Sequence, residues 1–319
     1  MSETEFIDWL LSARTPSIRY QTLTDLLGYP ADDPRAIAAR QAIMTDGPVP
    51  AILARQTEIG NWVGDRSYYT PKYVSAQWSM TLLTELCVDG DDPRFQRGVR
   101  YMLEATAADL RQRLETGTRG FSCFWGNLLR YCLHAGLLPH ASLEKLIEYT
   151  LLDLRTAPCE CLHNSGYVCA WGLARTLWGL AAIPKAQRAA DVNQAIQRGV
   201  GFLLDSFRLE EANYPTRDGG DVSSLWFKLN FPLFYQTDIL FTLRVLDELD
   251  ELQHPGAQAA LDWLAQARKS DGTWPGSSPF RQRTWRELGD REETQRWVSL
   301  QAARILQRAG RLSDGDGWN

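Results

Sequence analysis

Cys123, Cys169 and His163 carry side chains that can ligate a soft metal, and they lie near one another in the middle of the chain. Cysteine sulfur and histidine nitrogen are usual protein ligands of zinc. The run from Cys159 through Cys161 to His163 adds further donors, although Cys-x-Cys-x-His is not a strong zinc spacing. Cys123, Cys169 and His163 are therefore candidate zinc ligands. A reactive or binding thiol without metal, or simple packing of buried cysteines, are the alternatives.

Asp238 is a second candidate for chemistry, because Phe234, Tyr235 and Phe241 surround it in the sequence. An apolar pocket favours the protonated form of a carboxyl group, which suits a general acid. A helix N-terminus has the opposite effect and stabilises the carboxylate. We predict Asp238 and Tyr235 as catalytic residues. The alternative for Asp238 is a carboxylate that caps a helix or pairs with an arginine.

The chain contains 12 tryptophans, and many large aromatic residues fall at helical spacing. Such side chains can shape an apolar cavity and stabilise a cation through their ring faces. Filling of the core is the alternative. The predicted substrate-binding residues are Trp78, Trp125, Trp171, Trp178, Phe241, Trp297 and Tyr73.

Helices must position these residues, because helical periodicity dominates the chain and no alternating strand pattern is found. Prolines such as Pro16, Pro34, Pro93 and Pro232 mark predicted helix starts. The predicted helices cover residues 3–12, 16–28, 34–56, 73–88, 93–115, 122–136, 142–155, 167–183, 187–207, 232–251, 256–269 and 292–309.

Apolar and amphipathic helices alternate along the sequence. This alternation predicts an all-α fold, an (α/α)6 toroid in which six inner helices are surrounded by six outer ones, formed as one domain over residues 1–319. A solenoid is the competing arrangement. The connections 57–72, 208–231 and 270–291 are long, and loops of this length often carry function. We therefore predict that the mouth of a central cavity lies at the end of the ring that these loops share.

A repeated pattern supports this arrangement, since Gln266 is followed by Gly272-Thr-Trp274 and a weaker echo runs from Gln56 to Trp62. The pattern resembles the QW motif of squalene cyclases and the repeats of protein prenyltransferases. Longer segments resemble a prokaryotic family of short, single-toroid proteins with such repeats. The segments that carry this resemblance include 16–27, 47–53, 89–94, 169–184, 230–238 and 296–306.

The resemblance implies a terpenoid cyclase-like or prenyltransferase-like enzyme acting on a hydrophobic, isoprenoid-type substrate. Protein prenyltransferases hold zinc with Asp, Cys and His at comparable positions, which would add Asp238 to the zinc candidates. A non-catalytic toroid that binds an apolar ligand and a zinc-dependent transferase are the alternatives. Asp89-Gly-Asp-Asp92 matches the letters of the acid motif of class II cyclases, but its place before Pro93 predicts a turn.

Composition excludes several other classes of function. The formal net charge of −5 and the absence of a basic cluster argue against a nucleic-acid partner. The sequence has no apolar run long enough to span a membrane. Its acidic start is unlike a signal peptide, so we expect a cytoplasmic protein with reduced cysteines. The oligomeric state is left open.

Overall fold

The protein is all-helical, as the periodicity predicted. A computed structural model describes residues 1–64, 67–155, 159–219 and 222–312, and these ranges contain no β-strand, only two isolated bridge pairs. Across the same ranges, no helix is both long and apolar enough to cross a membrane. The α-helices are α1 (Glu3–Leu11), α2 (Pro16–Gln21), α3 (Pro34–Thr45), α4 (Pro48–Leu53), α5 (Ala76–Glu85), α6 (Pro93–Thr116), α7 (Ser122–His134), α8 (Ala141–Arg155), α9 (Ala170–Ala181), α10 (Ala190–Gly201), α11 (Ile239–Glu248), α12 (Gln258–Gln266) and α13 (Arg291–Arg308).

Prolines start helices α2, α3 and α6, as predicted. The start of α6 shows why. Asp92 caps the helix by accepting a hydrogen bond from the backbone N–H of Arg94, and proline follows at the first helical position, where its missing N–H costs nothing. Asp92 therefore has a capping role in the turn between α5 and α6. The helix ends at Gly117, whose φ of 67° favours glycine.

Two predicted helices differ from the structure. The span 34–56 is divided into α3 and α4 by Gly47, which adopts a φ of 73°. The span 232–251 becomes helical only at Ile239, so the prediction that Pro232 opens this helix is wrong. The physical reason is that Asp238 has an extended backbone and caps α11, while the residues before it form a loop.

Burial alternates between successive helices. Every residue of α5 is buried, and α9, α11 and α13 are buried over most of their surface. By contrast, α3, α10 and α12 bury only one face. A helix that is covered on several sides must have neighbours on several sides. The predominantly buried helices therefore have neighbours on several sides.

Each buried helix packs against the next buried helix along the chain. Helix α5 contacts α7, α7 contacts α9, α9 contacts α11, and α11 contacts α13, which in turn contacts α2. The hydroxyl of Ser17 in α2 donates to the carbonyl of Leu86, at the end of α5, over 2.6 Å. This hydrogen bond places the start of α2 beside the end of α5. Helix α6 contacts α5 and α7, α8 contacts α7, α10 contacts α9, and α12 contacts α11 and α13.

Two tryptophans make the same contact at distant points of the chain. Trp62 Nε1 donates to the carbonyl of Ile52 in α4 over 2.8 Å, ten residues earlier. Trp274 Nε1 donates to the carbonyl of Leu264 in α12 over 2.8 Å, again ten residues earlier. In both cases a glycine with positive φ stands two residues before the tryptophan. The two Gly-x-Trp segments therefore tie a long loop back onto the helix that precedes it, as expected of a structural repeat.

Candidate functional site

A cavity of about 410 Å³ lies at the N-terminal ends of α7 and α9, and we call it the α7–α9 cavity. This volume lies within the range of roughly 300–1,000 Å³ typical of small-molecule sites. Aromatic rings form much of its wall, contributed by Tyr69, Phe121, Trp171 and Tyr235. Tyr235 and Trp171 were predicted as site residues, and the structure brings them to one cavity.

Close contact between α7 and α9 fixes the position of this wall. A Cβ atom on Gly126 would lie 2.4 Å from the carbonyl oxygen of Arg175, and one on Gly179 would lie 2.6 Å from the carbonyl oxygen of Gly126. Only glycine allows two helix backbones to approach this closely. Cys123 and Trp171 each lie within about one turn of this contact, so their separation across the cavity is set by the helix backbones.

The residues that precede α7 and α9 have an unusual backbone conformation or an unusual cap. Phe121 precedes α7 with a φ of 59°, a left-handed conformation that is rare outside glycine. At α9 the Cys169 sulfur accepts a hydrogen bond from the backbone N–H of Gly172 over 3.4 Å and so caps the helix. Both residues line the cavity. Strained and non-standard backbone of this kind concentrates at functional sites.

The three predicted zinc candidates come together at the cavity. Cys123, Cys169 and His163 all line it, and Cys161 joins them. His163 also packs edge-on against Phe121, with ring centroids 5.8 Å apart. The helix starts predict that Cys123, Cys169 and Asp238 face one mouth, and the structure places the two cysteines, but not Asp238, at this cavity.

The thiols differ in their protonation. A hydrogen bond from Cys169, and further backbone N–H donors at His163 and Asn164, lower the pKa of Cys161 to about 6. The same hydrogen bond, together with burial, raises the pKa of Cys169 well above its usual value. Burial raises the pKa of Cys123 to about 12. Cys161 thus tends to the thiolate, whereas Cys123 and Cys169 stay neutral.

This arrangement does not fit a zinc site. In the described ranges, no three His, Cys, Asp or Glu side chains are grouped as metal ligands would be. We therefore derive no chemical step through a metal.

The ammonium group of Lys72 lies against the aromatic wall. The Lys72 ammonium is 4.8 Å from the ring centroid of Tyr235 and 5.8 Å from that of Tyr69. Among the residues that the structure describes, Lys72 has no carboxylate partner, and contact with ring faces is its electrostatic compensation. Asp218, at the outer rim, pairs instead with Arg217 over 3.1 Å. The cavity therefore offers an apolar wall with positive charge at one side.

Asn164 joins its own segment to the long connection 208–231 at the cavity wall. Its side-chain N–H groups donate to the carbonyls of Val168, over 3.1 Å, and Pro215, over 2.9 Å. Its side-chain oxygen accepts the backbone N–H of Arg217 over 2.9 Å. The long connections 57–72 and 208–231 both contribute lining residues, Tyr69 and Lys72 from the first. Both loops were predicted to lie near the mouth.

Asp238 does not line this cavity. It is 1% exposed, and both carboxylate oxygens are engaged. One oxygen accepts the backbone N–H of Phe241 over 2.7 Å, and the other accepts the backbone N–H of Asn230 over 2.7 Å and its side-chain amide over 3.0 Å. Burial nevertheless raises its pKa to about 6. The geometry is that of a helix cap which also fixes the preceding loop, the alternative considered from the sequence.

Most of the other predicted aromatic residues pack in the interior and do not line the cavity. Trp297 stacks on Phe231 at 4.1 Å, and Tyr73 stacks on Phe280 at 4.3 Å. Trp78 sits directly behind the wall, with its ring centroid 4.6 Å from that of Tyr69. The remaining three, Trp125, Trp178 and Phe241, are also buried among helices.

A second cavity, of about 690 Å³, lies elsewhere and is lined by Arg14, Arg281 and Arg286. Two of these arginines are already engaged. Arg14 pairs with Asp290 over 2.5 Å, and Arg281 donates to the carbonyl of Gly289 and the hydroxyl of Thr294 over 2.6 and 2.8 Å. Two of the three arginines in this larger cavity are therefore not free to bind an anion, and the α7–α9 cavity is the better candidate site.

Sequence reasoning missed Tyr69, Lys72 and Phe121 as wall residues. For Tyr69 and Lys72 the available signal is the length of the loop 57–72, because loops of this length often line a site. Comparison of this chain with protein-family models, curated proteins and solved structures finds no match, so the resemblance to the cyclase and prenyltransferase repeats stays a prediction.

Proposed function

We propose that this protein binds a small molecule with an apolar, isoprenoid-type body and an anionic head group in the α7–α9 cavity. The observation that carries the proposal is the Lys72 ammonium, which lies against the rings of Tyr69 and Tyr235 in a cavity of about 410 Å³ and has no carboxylate partner among the described residues. Aromatic ring faces suit an apolar body, and a cation without a carboxylate partner suits a phosphate or carboxylate head.

We also propose that the helices form a closed (α/α)6 ring around this site. Support comes from the contact of α13 with α2 and from the hydrogen bond between Ser17 and Leu86, which link the first and last buried helices to their neighbours. The matching contacts of Trp62 and Trp274 support repetition of a helix-pair unit. In such a ring the mouth would be formed by the long loops.

The proposal does not include acid-initiated cyclisation. Such a reaction needs a carboxylic acid at the cavity wall, and the one acidic wall residue in the described ranges, Asp218, is exposed and paired with Arg217. Asp238 has a raised pKa but is fully engaged as a helix cap. Binding of an isoprenoid diphosphate, with transfer of its prenyl group as the associated class of reaction, is therefore the function that the cavity supports best.

Titration of the intrinsic tryptophan fluorescence tests the proposal, because Trp171 lies in the wall. The probes are farnesyl diphosphate, farnesol and inorganic diphosphate. We expect farnesyl diphosphate to bind more tightly than either of its parts. Loss of one charge-assisted contact is worth about 1.5 kcal/mol, so Lys72→Gln should weaken binding of farnesyl diphosphate about tenfold and leave farnesol unchanged.

Lys185→Gln is the matched control, since Lys185 is an exposed lysine that pairs with Asp250. It should bind all three probes as the wild type does. Equal affinity of the wild type for farnesyl diphosphate and inorganic diphosphate would contradict the role of the apolar wall. An unchanged affinity in Lys72→Gln would contradict the assignment of the head-group site.

A further inference from the structure

Cys161 and Cys169 lie on opposite sides of a short antiparallel pairing at the cavity mouth. Glu160 and Val168 form an isolated bridge pair. On either side of it, the N–H of Cys161 donates to the carbonyl of Tyr167 over 3.1 Å, and the N–H of Cys169 donates to the carbonyl of Cys159 over 3.0 Å. The two hydrogen bonds fix the register of the pairing.

This register places the two thiols on the same face. Side chains alternate between the faces of extended chains, so Glu160 and Val168 share one face while Cys161 and Cys169 share the other as diagonal neighbours. The two thiols also influence each other's protonation, since Cys169 lowers the pKa of Cys161 and Cys161 raises the pKa of Cys169. A turn with left-handed residues at Ser165 and Gly166 closes the pairing and keeps its two sides together.

Both cysteines are also accessible. Each is partly exposed, and each lines the α7–α9 cavity. Cys159, by contrast, is buried, and its sulfur contacts the hydroxyl of Thr176 over 3.6 Å. Cys123 lies at the same cavity on a different helix, and Cys159 lies across the pairing from Cys169, so these two are the competing partners. Two partly exposed thiols on one face of a pairing with a fixed register form a pair that an oxidant can reach.

We propose that Cys161 and Cys169 are a redox-active dithiol, which a hydroperoxide oxidises to an intramolecular disulfide and a small thiol reduces again. The Cys161 sulfur attacks the peroxide, forming an S–O bond as the O–O bond breaks, so the sulfur becomes a sulfenic acid and the peroxide leaves as water or alcohol. The Cys169 sulfur then attacks the Cys161 sulfur, the S–S bond forms, and the oxygen leaves as water with the Cys169 proton.

The step is balanced: two thiols and one hydroperoxide yield a disulfide, water, and a second water or an alcohol. Two molecules of a small thiol restore the pair and become a disulfide themselves. This dithiol does not depend on the binding of an apolar ligand. The proposal therefore stands or falls separately from the proposed function.

Peptide mapping tests the pair directly, because trypsin cleavage after Arg155 and Arg175 releases residues 156–175 with three cysteines. The reduced full-length protein is exposed to hydrogen peroxide, denatured, treated with iodoacetamide and digested. We expect a peptide that has lost two hydrogens and carries one alkylated cysteine, Cys159. Dithiothreitol before alkylation should restore three alkylated cysteines.

Three variants identify the bonded pair. Cys161→Ser and Cys169→Ser should each abolish the loss of two hydrogens, and Cys159→Ser should retain it. Serine at position 169 can still cap α9, so this variant is expected to fold, which circular dichroism checks. A disulfide to Cys159 or Cys123, accumulation of sulfinic acid on Cys161 with Cys169 still free, or no oxidation of the peptide would each overturn the proposal.

Discussion

Replacing Gly126 by alanine should separate α7 from α9 and destabilise the protein. The new Cβ would lie 2.4 Å from the carbonyl oxygen of Arg175, 2.6 Å from its carbonyl carbon and 2.7 Å from the Cα of Thr176, whereas Cβ atoms essentially never approach other atoms within 3.0 Å. All three neighbours are backbone atoms, so no side-chain rotation can relieve the contact. The helices must move apart by about 0.6 Å or more, the difference between 3.0 and 2.4 Å.

The magnitude follows from two opposing effects. Overpacking in a well-packed interior lowers the free energy of unfolding by about 1–3 kcal/mol. The upper end of this range is expected here, because the new Cβ meets only backbone atoms, which cannot rotate away. Alanine gains about 1 kcal/mol over glycine in helix propensity. The net expectation is a loss of about 2 kcal/mol in the free energy of unfolding, or roughly 4 °C in Tm for a chain of this size.

Urea denaturation followed by circular dichroism measures the change, with Gly201→Ala as the matched control. Gly201 also lies in a helix, but its Cβ would meet only the flexible carboxylate of Asp205, at 3.3 Å. This control should be neutral or gain up to about 1 kcal/mol. If Gly126→Ala were as stable as Gly201→Ala, the close approach of α7 and α9 that sets the cavity wall would be refuted.

Two further changes test the roles assigned to Asp238 and Trp274. Burial raises the pKa of Asp238 from 3.8 to about 6, so the native state holds this proton more tightly than the unfolded state does. The free energy of unfolding therefore falls by roughly 3 kcal/mol as pH rises from about 4 to about 6. Urea unfolding at pH 4 and pH 7 should show Asp238→Asn losing less stability over this interval than the wild type; identical losses would contradict the burial of this carboxyl. Trp274→Phe removes the hydrogen bond to the Leu264 carbonyl and should lower the free energy of unfolding by about 1–3 kcal/mol. The control Trp263→Phe changes a partly exposed ring and should lower it less. Equal losses in thermal denaturation would argue against the role of the Trp274 hydrogen bond in holding the loop.

The helical class and many helix starts could be read from the sequence because they depend on local chemistry. Proline after a capping residue starts α6, and periodic apolar residues mark the buried faces. The start of α11 could not be read in this way. Pro232 suggested a helix start, but the carboxylate of Asp238 binds both Phe241 and Asn230, and this contact across the loop decides where the helix begins.

The site also could be predicted only where local sequence patterns place its residues. Helix starts placed Cys123 and Cys169 together because consecutive buried helices bring their ends to the same region. Lys72 and Tyr69 lie in a loop without periodicity, and only tertiary contacts bring them to the wall. Trp297 illustrates the opposite error, because a large aromatic residue at helical spacing can stack within the core, as it does on Phe231.

Photo-crosslinking tests the central claim most directly, because it shows where an apolar ligand with an anionic head binds. The measurement uses a benzophenone-bearing analogue of farnesyl diphosphate, followed by peptide mapping with and without excess farnesyl diphosphate as competitor. We predict competable labelling of segments 69–72, 121–123, 161–172 and 235, which line the α7–α9 cavity. Labelling confined to residues 281–294, at the second cavity, or labelling that the competitor does not reduce, would contradict the account.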